Sequence, residues 1–138
     1  MFGSLDISTS GMIAQRVRLT AASANIAGAN VVEDQFGNYA PFLRREVMLA
    51  SGDPSATSRD GRSMGVHVRE VYQNPDALRS RYMPSSPHAD ENGYVIGPDI
   101  SSVAEQVDAM EASRAYEANV AAAEVSKAML AQALRLIA

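Results

Sequence analysis

The chain has 138 residues, a net charge of −4, no cysteine and no tryptophan. That length holds one ordinary domain, or two extended elements around a small one. The acidic balance, with Lys127 the only lysine, provides no field for nucleic acid or anionic lipid, and the missing thiols exclude disulfides, zinc-thiolate centres and cysteine nucleophiles. The apolar fraction is 46% but aromatics make up only 6%, so the large side chains that dominate core energetics are scarce.

Along the first segment Leu5, Met12, Leu19 and Ile26 recur every seven residues, with Ala22 and Ala29 on the same side, which is a heptad stripe. Asp6 suits the positive end of a helix dipole, and the spacing predicts a helix from Leu5 to Ala29, about 37 Å long. Its last part, SANIAGAN, is poor in large apolar side chains. Small residues there let backbones approach closely with Ile26 as anchor, Asn25 is expected to hydrogen-bond across a subunit contact, and Gly28 or Asn30 to end the helix in a left-handed turn. The opening MFGSLDISTSGM lacks the basic, apolar and small-residue regions of a secretory signal, and no apolar run is long enough to span a membrane. By those signals alone the chain reads as cytoplasmic.

From Glu33 to Asp99 the helical period disappears and the turn signals FGN, GDP, RDG, NPD and ENG take over. Strands are predicted at Phe42–Ala50, with Leu43, Val47 and Leu49 on one face, and at Val66–Tyr72, with Val66, Val68 and Tyr72 together. Weaker strand signals cover Leu78–Met83 and Tyr94–Ile96. The small polar span Ser51–Ser63 and the stretch PSSPHADENG read as flexible loops.

Helix returns at the end of the chain. Ser102 and Glu105 fit a capping box, with Pro98 and Asp99 upstream, and the helix is expected from about Val103 to the C-terminus, roughly 50 Å. Val103, Val107 and Met110 form a first stripe; Tyr116, Val120, Ala123, Leu130, Leu134 and Ile137 form another. Two such helices are too long to be buried in a chain this size. They can pair with each other, yet Ile13 and Val17 on the first and Val125, Met129 and Leu136 on the second lie off the main seams and ask for another molecule. Arg114 and Glu117, three apart, can pair locally, while Arg114 and Tyr116 are also types favoured at interfaces.

No catalytic apparatus is visible. His67 lies opposite Val66 and Val68 and reads as a surface imidazole; His88, Asp90 and Glu91 form one polar cluster without a second, which marks a solvated loop more than a metal site. Gly61 and Gly65 have GxxxG spacing in a polar context and read as a turn.

The stretch LDISTSGMIAQRVRLTAASANIAGAN resembles the N-terminal motif of bacterial flagellar axial proteins, in which LDIS-SG-AQR leads into NNIANAN. VDAMEASRAYEANVAAAEVSKAMLAQAL is similar to the C-terminal helix of basal-body rod members of that family, and PHADENGYVIGPDIS to their HPDADEEGYV-YPNV segment. Ala24, Gly28 and Val31 depart from the family pattern. The resemblance implies a mainly α fold with a small β-rich insert: long N- and C-terminal helices (1–32 and 100–138) pair as a coiled coil around an irregular β segment (33–99). It implies a structural subunit of the periplasm-spanning rod, in the proximal part, that stacks with itself and other rod proteins into a helical tube transmitting torque. Passage through the flagellar type III export apparatus without a cleaved signal replaces the cytoplasmic reading. No enzyme activity, cofactor, metal, nucleic acid or membrane insertion is expected.

Subunit packing falls on Leu5, Met12, Leu19, Asn25, Ile26 and Asn30 of the first helix. On the second it falls on Val107, Met110, Arg114, Tyr116, Glu117, Asn119, Val120, Leu130, Leu134 and Ile137. With a second stripe uncovered, the terminal helices are expected to be poorly ordered in the monomer and to fold on assembly. A soluble coiled-coil module, such as a secretion chaperone or adaptor, uses the same stripes and is the alternative, as is a different rod subunit.

Overall fold

In the computed structural model, residues 2–137 are described, with side chains for 3–136. Two long helices, α1 (Phe2–Gly28) and α3 (Ser102–Ile137), enclose in sequence β1 (Arg44–Ser51), α2 (Arg59–Met64), β2 (Val66–Asn74), β3 (Leu78–Tyr82) and β4 (Tyr94–Pro98). β1 pairs antiparallel with β2 and β3 with β4, giving two separate two-stranded sheets. All four strands lie where alternation and turn signals put them.

α1 and α3 pack antiparallel. Asn25 bonds Glu105, Arg18 reaches Glu111 at 3.8 Å, and Gly11 lies against Asn119. Each contact on α1 is seven residues from the next, and Ala112 lies fully buried between Glu105 and Asn119 on the same face of α3. The buried seam is therefore built of Gly, Ala, Asn and charged stems instead of Leu and Met. The Leu5, Met12, Leu19 and Ile26 stripe sits one residue on from this seam, a rotation of about 100°. All four lie half-buried on its flank. A seam of small side chains wins because α1 has to fit between two partners. Its opposite face carries α2 and the β1–β2 ribbon, with Asp6 accepting the Ser58 amide at 2.9 Å and Ser10 Oγ accepting the Val66 amide at 3.1 Å.

Several expectations give way here. Residues 51–63 are not a free loop. Ser58 caps α2, its side chain accepting from the Gly61 amide, and the short helix docks on the first turns of α1. Gly61 is buried within α2 and Gly65 caps it. In β2 the register slips between Met48 and Leu49, leaving Arg69 unpaired as a bulge. The extra residue inverts the alternation, so Val71 rather than Tyr72 shares the face of Val68. α3 begins one residue earlier than expected: Ser101 Oγ accepts from the Ala104 amide, and Glu105 turns inward instead of closing a capping box. His67 is half-buried, one ring nitrogen bonded to the Gly52 carbonyl.

The end of α1 is not a left-handed turn; positive φ occurs at Gly37, Gly52 and Gly93, and at neither Gly28 nor Asn30. Gly28 is needed for a different reason. A Cβ there would fall inside the Phe42 ring, which lies flat on the helix backbone. The last turn is capped by a cation instead: Arg81 donates to the carbonyls of Ala29 (3.3 Å) and Pro98 (3.1 Å) and to Asn30 Oδ1 (2.8 Å), where the helix dipole favours positive charge.

The core that results is small. The buried apolar residues are Ala14, Ala21, Ala22, Ala29, Ala112, Val95 and Ile100, mostly alanine.

Candidate functional site

The most constrained polar constellation lies where α1, β1 and α3 meet. Asn25, 1% exposed, donates from Nδ2 to the Arg45 carbonyl and to Glu105 Oε2, both at 2.9 Å, while its Oδ1 accepts the Arg45 amide at 2.8 Å. It acts as one residue of an extra strand, exchanging both backbone bonds with β1. Glu105, 3% exposed, accepts Arg44 Nε at 2.8 Å, and Arg44 also reaches Glu46 at 3.3 Å. The hydrogen bond that Arg44 donates to Glu105 raises the Arg44 pKa above its ordinary value, so the guanidinium stays charged. A cleft of about 270 Å³ opens beside these groups, lined by Arg18, Glu46 and Asp108 among others. Its charges are spent on one another, so the cluster is a structural clasp. Asn25 is thus committed inside the protomer, contrary to the expectation that it bonds across a subunit contact.

Exposed large apolar side chains occur across the surface, Phe36, Met64 and Tyr82 among them, and α3 carries a row of them at helical spacing. Val103, Val107 and Met110 lie on the side away from α1, and Val125, Met129 and Leu136 continue large exposed apolar side chains toward the C-terminus. Burying one such side chain is worth about 1.5–3 kcal/mol, so leaving this row in water is costly for an isolated chain. Val107, Met110, Glu111 and Arg114 line a shallow groove of about 260 Å³. From the Asn25–Glu105 and Gly11–Asn119 contacts, Phe2 falls opposite about residue 128 of α3, so roughly nine residues of α3 project beyond α1. In this overhang Leu134 is 60% and Leu136 81% exposed.

The predicted packing residues therefore divide. Leu5, Met12, Leu19 and Ile26 flank the intramolecular seam, and Tyr116 meets Met12 and Ile13 in a small cleft. Asn119 lies in the seam, its Nδ2 bonded to the Ala115 carbonyl, and Val120 and Leu130 are half-buried. Asn30 is exposed but holds Arg81. Val107, Met110, Arg114, Glu117 and Leu134 are open to solvent. The side chain of Ile137 lies outside the described residues.

Missed from sequence were Arg44 and Glu105, whose pairing spans 61 positions and carries no local motif. Also missed was Phe42, for which the only signal was a glycine without an obvious role at position 28. Elsewhere the polar loops are occupied with their own turns. Asp90 accepts the Asn92 and Tyr94 amides, His88 faces Glu33 at 3.3 Å beside the Tyr39 ring, and hydrogen bonds from Asn38 hold the Asp34 carboxyl below its usual range. Among the described residues no group of His, Asp and Glu converges as a metal site would, and no helix is long and apolar enough to cross a membrane.

Comparison with known proteins points one way. Residues 91–136 match the family described as flagellar basal body rod FlgEFG protein C-terminal. Over nearly its full length the chain is similar to the flagellar basal-body rod protein FlgC of several bacteria. Identity is 33% with that of Bacillus subtilis, covering 98% of this chain and 97% of the relative. With that of Aquifex aeolicus it is 37% over 92% and 90%, and with that of Salmonella typhimurium 34% over 95% and 93%.

Proposed function

The chain belongs to the family of flagellar basal-body rod proteins FlgC, and on that premise we propose that it is a structural subunit of the bacterial flagellar basal-body rod. The end-to-end likeness to proteins of that name carries the reading. The outward apolar row on α3 supports it physically, because a subunit that completes its burial only in an assembly has its large side chains outside and its small ones inside.

In this reading the terminal segments, 1–32 and 100–138, are the assembling parts, paired as a coiled coil and stacked with copies of the chain and with other rod proteins into a helical tube. Contacts of that kind are heterologous: each subunit offers different patches to its neighbours, and a non-closing operator extends the array. The segment 33–99 faces outward and braces the pair through the Asn25–Arg45 and Gly28–Phe42 contacts. Stiffness under torque then comes from close backbone packing in the seam, which long flexible side chains would soften. The chain reaches the periplasm-spanning rod through the flagellar type III export apparatus without a cleaved signal. It performs no catalysis and holds no cofactor, does not bind nucleic acid and does not insert in the membrane.

Complementation of a strain lacking the chain tests this. Wild type is expected in isolated basal bodies and to restore motility, while Leu134→Asp, at an exposed position that leaves the monomer fold intact, is expected to be absent from them. Failure to recover wild type in basal bodies overturns the assignment; normal incorporation of Leu134→Asp overturns the role of the terminal helix.

A further inference from the structure

We infer that residues 52–65, the segment joining β1 to β2, are a hinged strap that lies over the first turns of α1 and opens as one unit while the ribbon and the helix pair stay folded. This goes beyond the rod-subunit reading and does not depend on it.

Burial gives the first reason. Within 52–65 the buried residues are Gly52, Gly61 and Gly65, and every residue with a side chain is half-buried or exposed. Met64, the one large aliphatic residue of the segment, is 70% exposed. Apolar burial is the main force that fastens one element to another, and here it contributes little. Polar and close backbone contacts hold α2 on α1 instead. Asp6 accepts the Ser58 amide at 2.9 Å, Gly61 lies against the Asp6 Cβ, and Asp60 lies over Gly3. The hydrogen bonds of the segment mostly close on themselves. Ser58 Oγ accepts the Gly61 amide, Asp53 Oδ1 accepts the Ser55 amide and hydroxyl, and the Ser58 and Gly61 carbonyls accept the Arg62 and Gly65 amides. Release from α1 therefore breaks few bonds, which places the segment at the low end of local opening free energies.

The ends of the segment are built as hinges. Gly52 stands at φ +81°, and a Cβ on Gly65 would strike the Gly61 carbonyl, so both ends require glycine. The Gly52 amide donates to the Gly65 carbonyl at 2.6 Å, and next to them Ser51 pairs with Val66 in the ribbon. Just outside the hinge the Val66 amide is bonded to Ser10 Oγ at 3.1 Å, and the His67 ring is bonded to the Gly52 carbonyl. The two ends thus stay together, tied to the ribbon and to α1, whether the strap is down or up. Glycines at the ends of a docked segment absorb the backbone rotation that lifts it. Opening uncovers Gly3 and Asp6 on α1 and leaves the Asn25–Glu105 and Gly11–Asn119 contacts of the seam unbroken.

Trypsin digestion and amide hydrogen exchange of the purified full-length protein, each across a urea series, test the strap. Cleavage after Arg59 and Arg62 is expected well ahead of cleavage after Arg16, Arg18 and Arg114, which lie in the paired helices. Its rate should be nearly flat at low urea, because lifting the strap exposes little new surface. The nicked protein should keep its helical circular dichroism and elute as one particle. The amides of Ser58, Gly61 and Arg62 should exchange together with the same shallow urea dependence, while that of Val66 and those of the paired part of α1 and α3 follow the steep dependence of global unfolding. Asp6→Ala, which removes the acceptor of the Ser58 amide, should raise cleavage at Arg59 and Arg62 about ten-fold without steepening its urea dependence. Strap amides or strap cleavage with the urea dependence of the paired helices overturn the inference, as does loss of helix on nicking. Rates unmoved by Asp6→Ala overturn it too, since the strap would then be held by something else. None of these results bears on recovery of the wild-type chain in basal bodies.

Discussion

Replacing Asn25 by alanine removes three hydrogen bonds that join three elements, and the cost can be worked from the geometry. The two bonds exchanged with the Arg45 backbone are each worth about 1 kcal/mol net, and the bond to the buried Glu105 carboxylate about 1.5–3 kcal/mol. Water recovers part of the first two, because Arg45 is only half-buried. The expected loss is about 3–4 kcal/mol, on the order of half the roughly 7 kcal/mol that a chain of this length with an alanine-rich core holds. Urea unfolding followed by far-ultraviolet circular dichroism should show the midpoint falling by about 2 M for a slope near 1.5 kcal/mol/M. Asn30→Ala, which loses one exposed bond from Arg81, should shift it by less than a quarter of that. If Asn25→Ala leaves monomer stability within about 0.5 kcal/mol of wild type, the clasp reasoning is refuted, and Asn25 would have to work between subunits after all.

Three further outcomes are expected. Gly28→Ala pushes a methyl group into the Phe42 ring and should cost about 1–3 kcal/mol, most of it recovered in the Gly28→Ala, Phe42→Ala background relative to Phe42→Ala alone; additive losses would dissociate the two residues. Hydrogen bonds from the Ser58 side chain and amide hold the Asp6 carboxyl below its usual range. The unfolded chain, titrating near 3.9, binds more protons around pH 4, so this contribution is present above that pH and lost as pH falls through the folded value. Asp6→Asn should flatten the acid limb of thermal midpoint against pH, and an unchanged limb would remove Asp6 from the α2 clasp. Finally, dilute monomer should show less helix by circular dichroism than the 27 and 36 residues of α1 and α3 require, with the shortfall in the end of α3 that projects beyond α1, since the Asn25 clasp holds the paired part, and with helix rising on assembly. Full helicity at the lowest concentration would sink the idea of folding on assembly.

The strands and both long helices were legible in the sequence because period and turn chemistry are local. The rotation of the helices was not. Reading a stripe of Leu5, Met12, Leu19 and Ile26 as the seam assumes that the largest apolar side chains face the nearest partner, and here Gly11, Arg18 and Asn25 do. α2 was hidden because six residues of RDGRSM have weak helical propensity and are held by Ser58 and by docking on α1. The inverted face at Tyr72 came from the single bulged residue, Arg69, which alternation cannot reveal. Of the positions read as lying off the seams, Ile13, Val125, Met129 and Leu136 are open to solvent and Val17 is half-buried, while Val107, Met110 and Leu134, read as stripe positions of the second helix, are open as well, because periodicity marks an apolar face without saying which partner covers it.

An interior of alanine with the large aliphatics outside also decides where the heat capacity of this system resides. Unfolding the lone chain exposes little new apolar surface, so its melting should be broad, with a heat-capacity increment below the roughly 12–15 cal/mol/K per residue of ordinary domains. In the proposed assembly, association that covers the exposed Val107, Met110 and Leu136 should carry a large negative heat-capacity change in its place. Cooling would then weaken subunit association more steeply than it weakens the fold of the subunit itself.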